Sequence, residues 1–279
     1  MPPSPVLSGC KVVSLALNVP GPVAASRLKQ LGADVIKVEP PSGDPLTIYS
    51  ADYYHELHQG IAIKKINLKD ESGQQELGAL LASADILLTA QRPAALQRLN
   101  LGWQRLEKMF PRLSHIAIVG YPHPGENASG HDLTYLASEG LLLPAPMPLT
   151  LLADIAGAER AVSAALAALI AREKSGRGSY NELALSDAAA AFTGPLKYGL
   201  TLPGALLGGG FAGYNIYKCS EGHVAVAALE PHFFAHLQEL LNVQYATVPM
   251  LAEIFLTRTA NQWEDWALMH DVPLKRLRT

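Results

Sequence analysis

The sequence is poor in cysteine, since Cys10 and Cys219 are its only two thiols and lie far apart in apolar segments. Such a pair forms neither a disulfide framework nor a metal site and is typical of a reducing cytosol. We therefore expect a cytoplasmic protein. The first nine residues show no charged region followed by an apolar block, so we expect no signal peptide.

The sequence also lacks a marked excess of charge and a long hydrophobic run. Its formal net charge is −3, and its lysines and arginines form no basic stripe. This pattern argues against a nucleic-acid partner. The longest apolar runs, such as residues 161–171, are alanine-rich and too short to cross a bilayer, so we expect no membrane partner.

Three motifs of common enzyme classes are absent. No G-x-G-x-x-G follows the first predicted strand, and there is no Walker A sequence and no G-x-S-x-G elbow. The Gly208–Gly210 run alone is weak evidence for phosphate binding, because most such runs are flexible loops. The sequence therefore gives no support to a nucleotide-binding or α/β-hydrolase motif.

Strand and helix patterns alternate along the first two thirds of the chain. Residues 10–17 read as a buried strand, 23–31 as an amphipathic helix ended by Gly32, and 33–39 as a second strand. This order is a βαβ unit. It recurs in further helices and strands, which predicts a parallel, Rossmann-like sheet. The further predicted helices are 71–83, 94–99 and 102–110, and the further strands are 84–89, 114–120 and 181–185.

A long alanine-rich helix stops at Gly176, and a further helix is predicted to start at residues 188–192. The alternation of strands and helices ends after Pro195. Residues 204–213 are glycine-rich and predict a loop. A hairpin of 214–218 and 223–228 follows, and then three helices, 231–241, 250–256 and 262–269. We predict a large Rossmann-like domain of residues 1–199 and a smaller α+β domain of residues 200–279.

Three residues are candidates for chemistry: His131, Asp154 and Glu230. His131 begins a predicted helix just after a strand, where ligands of open α/β sheets bind. Asp154 precedes the alanine-rich helix, and N-capping alone would account for it. Glu230 precedes Pro231 and could likewise only cap. Their spacings match no metal motif, and the residues alone indicate a small-molecule enzyme with a site near His131 and Asp154.

Residues 19–45 (V-P-G-P-V-A-A…L-G-A-D-V-I-K-V-E-P-P-S-G-D-P) resemble the opening of the family III CoA-transferases, the CaiB/BaiF group. Residues 84–93 and 172–178 agree with it. Three further segments resemble the α-methylacyl-CoA racemases within the group: 130–137 (G-H-D-L-T-Y-L-A), 151–157 (L-L-A-D-I-A-G) and 227–233 (A-A-L-E-P-H-F). The resemblance runs along nearly the whole chain.

The resemblance implies a racemase acting on 2-methylacyl-CoA thioesters, in fatty acid metabolism. His131 and Asp154 would be the acid/base pair for a 1,1-proton transfer through an enolate, and Glu230 would orient His131. This requires a partly desolvated Asp154. We expect backbone N–H groups at the helix start after Asp154 to stabilise the enolate oxygen. No metal or prosthetic group is implied, and coenzyme A enters only as part of the substrate.

The resemblance also implies an interlocked homodimer, with each site between the large domain of one subunit and the small domain of the other. Family members continue beyond the point where this sequence stops, so the expectation is that their C-terminal return segment is missing. Where the family has a basic pair for CoA phosphates, Lys64 and Lys65 are the candidates here. The other expected substrate or CoA contacts are Arg92, Asp132, Tyr135 and Tyr214.

Asp132 is also expected to cap its helix. Two alternatives to the racemase stay open. One is a CoA-transferase in which Asp154 forms a covalent anhydride, and the other is a non-catalytic CoA-binding or scaffold protein. The presence of both His131 and Glu230 favours the racemase over the transferase.

Overall fold

A computed structural model describes residues 5–278. The first four residues of the segment examined for a signal peptide, and the final Thr279, lie outside this range. The chain divides into two compact units, Met1–Thr193 and Gly194–Thr279. The domain boundary predicted after residue 199 falls a few residues further along the chain.

The first unit is built on a six-stranded parallel sheet with the order β3-β2-β1-β4-β5-β6. This order confirms the predicted Rossmann-like sheet. The third strand was not predicted, because all four of its residues are exposed and show no apolar pattern. The strands are β1 (Lys11–Ser14), β2 (Asp34–Glu39), β3 (Ala62–Lys65), β4 (Ile86–Thr89), β5 (Ser114–Val119) and β6 (Tyr180–Ala184).

Helices pack on the two faces of this sheet, around two separate hydrophobic clusters. The first helix begins at Pro20, where the sequence predicted a turn as far as Pro22. Proline is tolerated there because the first helical N–H groups need no intrahelical acceptor. The helices are α1 (Pro20–Gln30), α2 (Leu46–Tyr49), α3 (Ala51–Leu57), α4 (Glu71–Leu81), α5 (Pro93–Arg98), α6 (Trp103–Met109), α7 (Asp132–Ser138), α8 (Leu152–Ser175) and α9 (Leu185–Ala190). Of these, α2 and α3 were not predicted.

The long helix α8 lies against α1, α9 and β5. Small residues such as Ala158, Ala161 and Ala165 form its buried side and allow this close approach. It ends at Gly176, as predicted, and Gly176 has a φ of 70°, a left-handed conformation that glycine adopts without steric cost. Across residues 5–278, no helix has both the length and the apolar character that a membrane span requires.

The second unit contains a three-stranded antiparallel sheet with the order β7-β8-β9. The predicted hairpin is confirmed as β7 (Tyr214–Lys218) and β8 (His223–Ala227), whereas β9 (Leu274–Arg276) was not predicted. Within the predicted glycine-rich loop, residues Leu206–Gly210 form a kinked turn in which Gly209 has a left-handed φ of 88°. The unit's helices are α10 (Gly194–Lys197), α11 (Pro231–Leu240), α12 (Val248–Phe255) and α13 (Ala260–Met269). Aromatic side chains of α12 and α13 anchor its core.

Candidate active site

A cavity of about 130 Å³ opens at the carboxyl ends of the central strands. The chain leaves β1 in one direction and β4 in the other, and ligands of open α/β sheets bind at such a switch point. Asn18, Arg92 and Gly120, which follow β1, β4 and β5, line this cavity together with His131 and Asp154. The structure therefore brings two of the three predicted catalytic residues to one place.

His131 occupies the N-cap position of α7 and lies in extended backbone, with its side chain exposed. Its backbone N–H donates to the Thr134 hydroxyl oxygen at 3.0 Å, and that hydroxyl donates to the His131 carbonyl at 2.8 Å. Both bonds fix the residue through its main chain. The imidazole remains at the cavity wall, where a bound molecule can reach it.

Asp154 is the third residue of α8, and the N-cap position is Leu151. The expectation that N-capping alone accounts for Asp154 is therefore wrong. Its carboxyl group is partly buried and faces the same cavity as His131. Burial raises the pKa of Asp154 to about 7, and the negative charge of Asp132 adds to this rise. The carboxyl group is thus able to exist in both protonation states near neutral pH.

Asp132 is a cap, but for a different helix than expected. It is the first residue of α7 and only 4% exposed, and its Oδ1 accepts a hydrogen bond from the Asp154 N–H at 3.0 Å. The N–H of Ile155 donates to the Leu151 carbonyl at 3.1 Å. The N–H groups expected to stabilise an enolate after Asp154 are therefore already bonded, and that expectation is wrong.

Tyr135 is buried and extends its ring toward the cavity between two glycines. A Cβ atom at Gly120 would lie 2.6 Å from the Tyr135 hydroxyl oxygen, and one at Gly130 would lie 2.5 Å from its ring. Only glycine leaves room for this ring at either position. Burial, and next the charge of Asp154, raise the pKa of Tyr135 to about 12. The hydroxyl therefore keeps its proton and can donate a hydrogen bond.

Arg92 also reaches this cavity, from the N-cap position of α5, and brings a positive charge to it. Lys64 and Lys65 do not line the cavity and are exposed on β3. Lys64 forms an ion pair with Glu76 at 3.0 Å. A role for either lysine in CoA binding stays a prediction.

Glu230 and Tyr214 belong to the second unit. Glu230 stands at the N-cap position of α11, but its side chain is exposed and caps no N–H of that helix. Capping therefore does not account for Glu230 either. Tyr214 is the first residue of β7 and is partly buried. Contact between Glu230 and His131, and between Tyr214 and a substrate, stay predictions.

A buried polar cluster beside the cavity was missed from the sequence. Glu39, Asp44 and His58 each offer a ligand atom within 4.8 Å of one another, as in a metal site. The Lys37 ammonium, however, contacts all three: it pairs with Asp44, lies 3.3 Å from Glu39 Oε1 and lies 2.8 Å from His58 Nε2. The cation that three such ligands would require is therefore the lysine itself. Burial lowers the pKa of His58, which favours its neutral form.

This cluster positions part of the cavity wall. Asp44 Oδ1 accepts the N–H of Asn18 at 3.0 Å and that of Leu46 at 2.9 Å. Asn18 has a φ of 65°, a left-handed conformation that asparagine tolerates better than most residues. The sequence did carry one sign of this cluster: the segment K-V-E-P-P-S-G-D places Lys37, Glu39 and Asp44 within eight residues of one another.

An open parallel sheet with a histidine and a partly buried aspartate at its switch point defines a Rossmann-like α/β protein with a small-molecule site. The chain belongs to the CoA-transferase family III, whose family model matches residues 7–279. This confirms the family that the sequence motifs indicated.

Curated relatives of this chain include both racemases and CoA-transferases. The alpha-methylacyl-CoA racemase of Mus musculus is 29% identical over 290 residues, covering 92% of this chain and 74% of the relative. The succinyl-CoA:glutarate CoA-transferase of Homo sapiens is 25% identical over 260 residues, covering 85% of this chain and 59% of that enzyme. A crystal structure of a CaiB/BaiF family protein from Brucella suis has a TM-score of 0.82 at 23% identity, over 98% of this chain and 84% of that one. The likeness to this structure supports the fold.

Proposed function

We propose that this chain is an isomerase that racemises 2-methylacyl-CoA thioesters by 1,1-proton transfer through an enolate. The observation that carries the proposal is the pairing of His131 with Asp154 in one cavity, where burial raises the pKa of Asp154 to about 7. The relatives that are α-methylacyl-CoA racemases support it, because they cover 92% of the chain.

The chemistry needs two groups that each take and return a proton. The α-proton of an acyl thioester is a very weak acid, so one base must remove it from one face while an acid delivers a proton to the other. A group whose pKa lies near the working pH serves well as both base and acid. Asp154 meets this condition, and His131 brings to the same cavity an imidazole, the side chain most often used for general acid–base catalysis. The two residues exchange roles for the opposite enantiomer.

The enolate oxygen needs a hydrogen-bond donor, and the first N–H groups of α8 near Asp154 are engaged. We assign this role to the Tyr135 hydroxyl, which keeps its proton and makes no hydrogen bond within residues 5–278. Arg92 adds a positive charge to the same cavity. A donor and a cation placed before the reaction stabilise developing negative charge without reorganisation.

The cavity of about 130 Å³ is smaller than typical ligand sites of about 300–1,000 Å³. It is therefore suited to the reacting end of the thioester, with most of the CoA outside it. We propose Lys64, Lys65 and Tyr214 as contacts for that remainder. Glu230 would orient His131 across an interlocked homodimer. The reaction needs no metal or prosthetic group, and we place the enzyme in the cytoplasm.

The second candidate is a CoA-transferase in which Asp154 attacks the thioester and carries the acyl group as an anhydride. Relatives that are CoA-transferases support this reading. It gives His131 no proton to transfer, however, and a raised pKa leaves part of the carboxyl group protonated at neutral pH, where it is not a nucleophile. The racemase uses both residues. A non-catalytic CoA-binding protein would use neither.

Proton exchange tests the proposal. The protein is incubated with (R)- and (S)-2-methylacyl-CoA in D₂O, and α-deuteration is followed by NMR. We expect exchange from both enantiomers. Asp154→Asn and His131→Ala should each abolish inversion, and each should lower exchange by about 10²–10⁴-fold for the enantiomer whose proton the changed residue removes. Glu173→Gln, on an exposed stretch of α8, and His55→Gln, on exposed α3, are matched controls that keep full activity.

The same mixtures separate the alternatives when a free carboxylic acid is added. CoA transfer to that acid without α-deuteration would contradict the racemase and support the transferase. A folded protein with neither activity, but with measurable CoA binding, would support the non-catalytic reading.

A further inference from the structure

We propose that Asp132 is a positioning residue for Asp154. Its carboxylate accepts a hydrogen bond from the Asp154 backbone N–H and places a negative charge beside the Asp154 carboxyl group. Its effect on catalysis rests on the proposed function, whereas its effect on Asp154 itself does not. Asp132 follows His131 directly in the chain. The pair would therefore supply one base, His131, and influence the ionisation of the other base, Asp154.

The hydrogen bond is long-range and replaces an ordinary helix cap. Asp132 belongs to α7, and its Oδ1 accepts the N–H of Asp154, 22 residues later and at the start of α8. The N-cap residue of α8 is Leu151, whose side chain has no acceptor. The first N–H groups of a helix need an acceptor from elsewhere. The Asp132 carboxylate supplies it and thereby fixes the first turn of α8, which carries the Asp154 side chain.

The charge of Asp132 acts on the same residue. Asp132 is 4% exposed, so little solvent separates it from its neighbours. A carboxylate beside another disfavours the ionisation of both. The other charged or titratable groups that face Asp154 are His131 and Tyr135 from α7 and Arg92 from the start of α5. Arg92 lowers the pKa of Tyr135 against the larger effect of burial, and Tyr135 remains a neutral hydroxyl.

This arrangement has a direct consequence for a two-base reaction. Removing the negative charge makes Asp154 ionise more easily, so its carboxyl group titrates at lower pH. Asp154 would then be a weaker base and would return its proton less readily. For the enantiomer whose proton Asp154 removes, the rate would therefore be lower than in the wild type at neutral pH. It would also persist to lower pH, because Asp154 would stay ionised there.

Two variants separate the charge from the hydrogen bond. Asp132→Asn removes the charge and keeps an oxygen acceptor, whereas Asp132→Ala removes both. The Asp154 carboxyl carbon is followed by ¹³C NMR during a pH titration of the whole protein without substrate, and Asp154→Asn identifies its signal. The control is Asp187→Asn, an exposed acidic residue in the first turn of α9.

We expect the Asp154 midpoint to fall by about 0.5–1 pH unit in Asp132→Asn, a shift typical of losing a nearby like charge, and to stay in place in Asp187→Asn. Hydrogen exchange of the Asp154 amide should remain slow in Asp132→Asn and become at least about tenfold faster in Asp132→Ala, because only the alanine lacks an acceptor. If the alanine variant does not fold, Asp132→Leu, which is similar in shape to aspartate and has no acceptor, replaces it in the same comparison.

An unchanged Asp154 midpoint in Asp132→Asn would overturn the electrostatic half of the proposal. Equal amide exchange in the wild type and Asp132→Ala would overturn the positioning half. Both measurements are made without substrate. A protein that shows these shifts but no α-deuteration therefore refutes the proposed function and not the role of Asp132.

Discussion

The buried pair of Lys37 and Asp44 offers a direct test of the structure beside the cavity. Both side chains are 0% exposed, and Asp44 also accepts the N–H groups of Asn18 and Leu46. The informative change is Asp44→Asn, because the amide keeps an oxygen for those two N–H groups but loses both the negative charge and the second oxygen, which accepts from Lys37.

The expected loss follows from the contacts that remain. Removing one partner of a buried ion pair destabilises a protein by about 3–5 kcal/mol, since the other charge stays buried without compensation. Glu39 Oε1 still lies 3.3 Å from the Lys37 ammonium. We therefore expect the lower end of that range, about 3 kcal/mol in the free energy of unfolding. Removing all three charges together, as in Lys37→Met with Glu39→Gln and Asp44→Asn, should recover part of it, because no buried charge then lacks a partner.

Urea unfolding followed by circular dichroism measures this loss as a lower midpoint at an unchanged slope. The matched control is Glu76→Gln, which breaks the pair between Lys64 and Glu76, whose side chains are 44% and 48% exposed. An exposed pair of this kind contributes about 0–1 kcal/mol. If Asp44→Asn cost no more than Glu76→Gln, Lys37 could not be the buried cation that compensates this cluster.

Three further changes test the cavity. The pKa of Asp154 is raised to about 7 in the folded state, so ionisation of its carboxyl group destabilises the fold as pH rises from about 4 to 7. Asp154→Asn should therefore raise the free energy of unfolding by about 1–3 kcal/mol at pH 8 and leave it unchanged at pH 4. Urea unfolding at both pH values measures this difference. Tyr135→Phe should lower kcat for α-deuteration about 10²-fold with little change in KM, because it removes the proposed enolate donor. Gly120→Ala should lower the same rate without unfolding the protein, since its Cβ would lie 2.6 Å from the Tyr135 hydroxyl oxygen and displace it. No gain for Asp154→Asn at pH 8, or full activity in either other variant, would contradict the roles assigned here.

The regular parts of the fold were predictable because their patterns are local. Strand β4 is apolar up to Thr89, strand β5 is apolar after Ser114 and His115, and Gly176 marks the end of helix α8. The edge strand β3 was missed because A-I-K-K is exposed throughout and carries no periodic signal. The start of α1 was placed three residues late because Pro20 was read as part of a turn.

The candidate site was predictable as a set of residues but not as a set of contacts. Local patterns indicated a site near His131 and Asp154, family motifs agreed, and both residues line one cavity. Local sequence assigned Asp132 to its own helix, because a bond that spans 22 residues leaves no local pattern. Asp154 was considered an N-cap because sequence patterns leave helix boundaries uncertain by a few residues. Only residues 152 and 153 lie between the true N-cap, Leu151, and Asp154, which faces the cavity.

The buried cluster around Lys37 shows a related limit. A lysine within a strand usually indicates an exposed position, and β2 gives no sign that Lys37 is fully buried. Its partners Asp44 and His58 lie on a loop and at the end of α3, a helix that was not predicted. The segment K-V-E-P-P-S-G-D shows that Lys37, Glu39 and Asp44 are close in sequence, but their shared burial is visible only once the chain is folded.

The central claim is that two different groups act on opposite faces of one carbon. The most direct measurement starts from a single enantiomer of 2-methylacyl-CoA in D₂O and follows deuterium and configuration together during the first turnovers. Two bases predict that the inverted product carries deuterium at Cα from the start, while the remaining substrate is still mostly unlabelled. Deuterium appearing first in the starting enantiomer, with inversion lagging behind, would indicate one base on one face and would contradict the account.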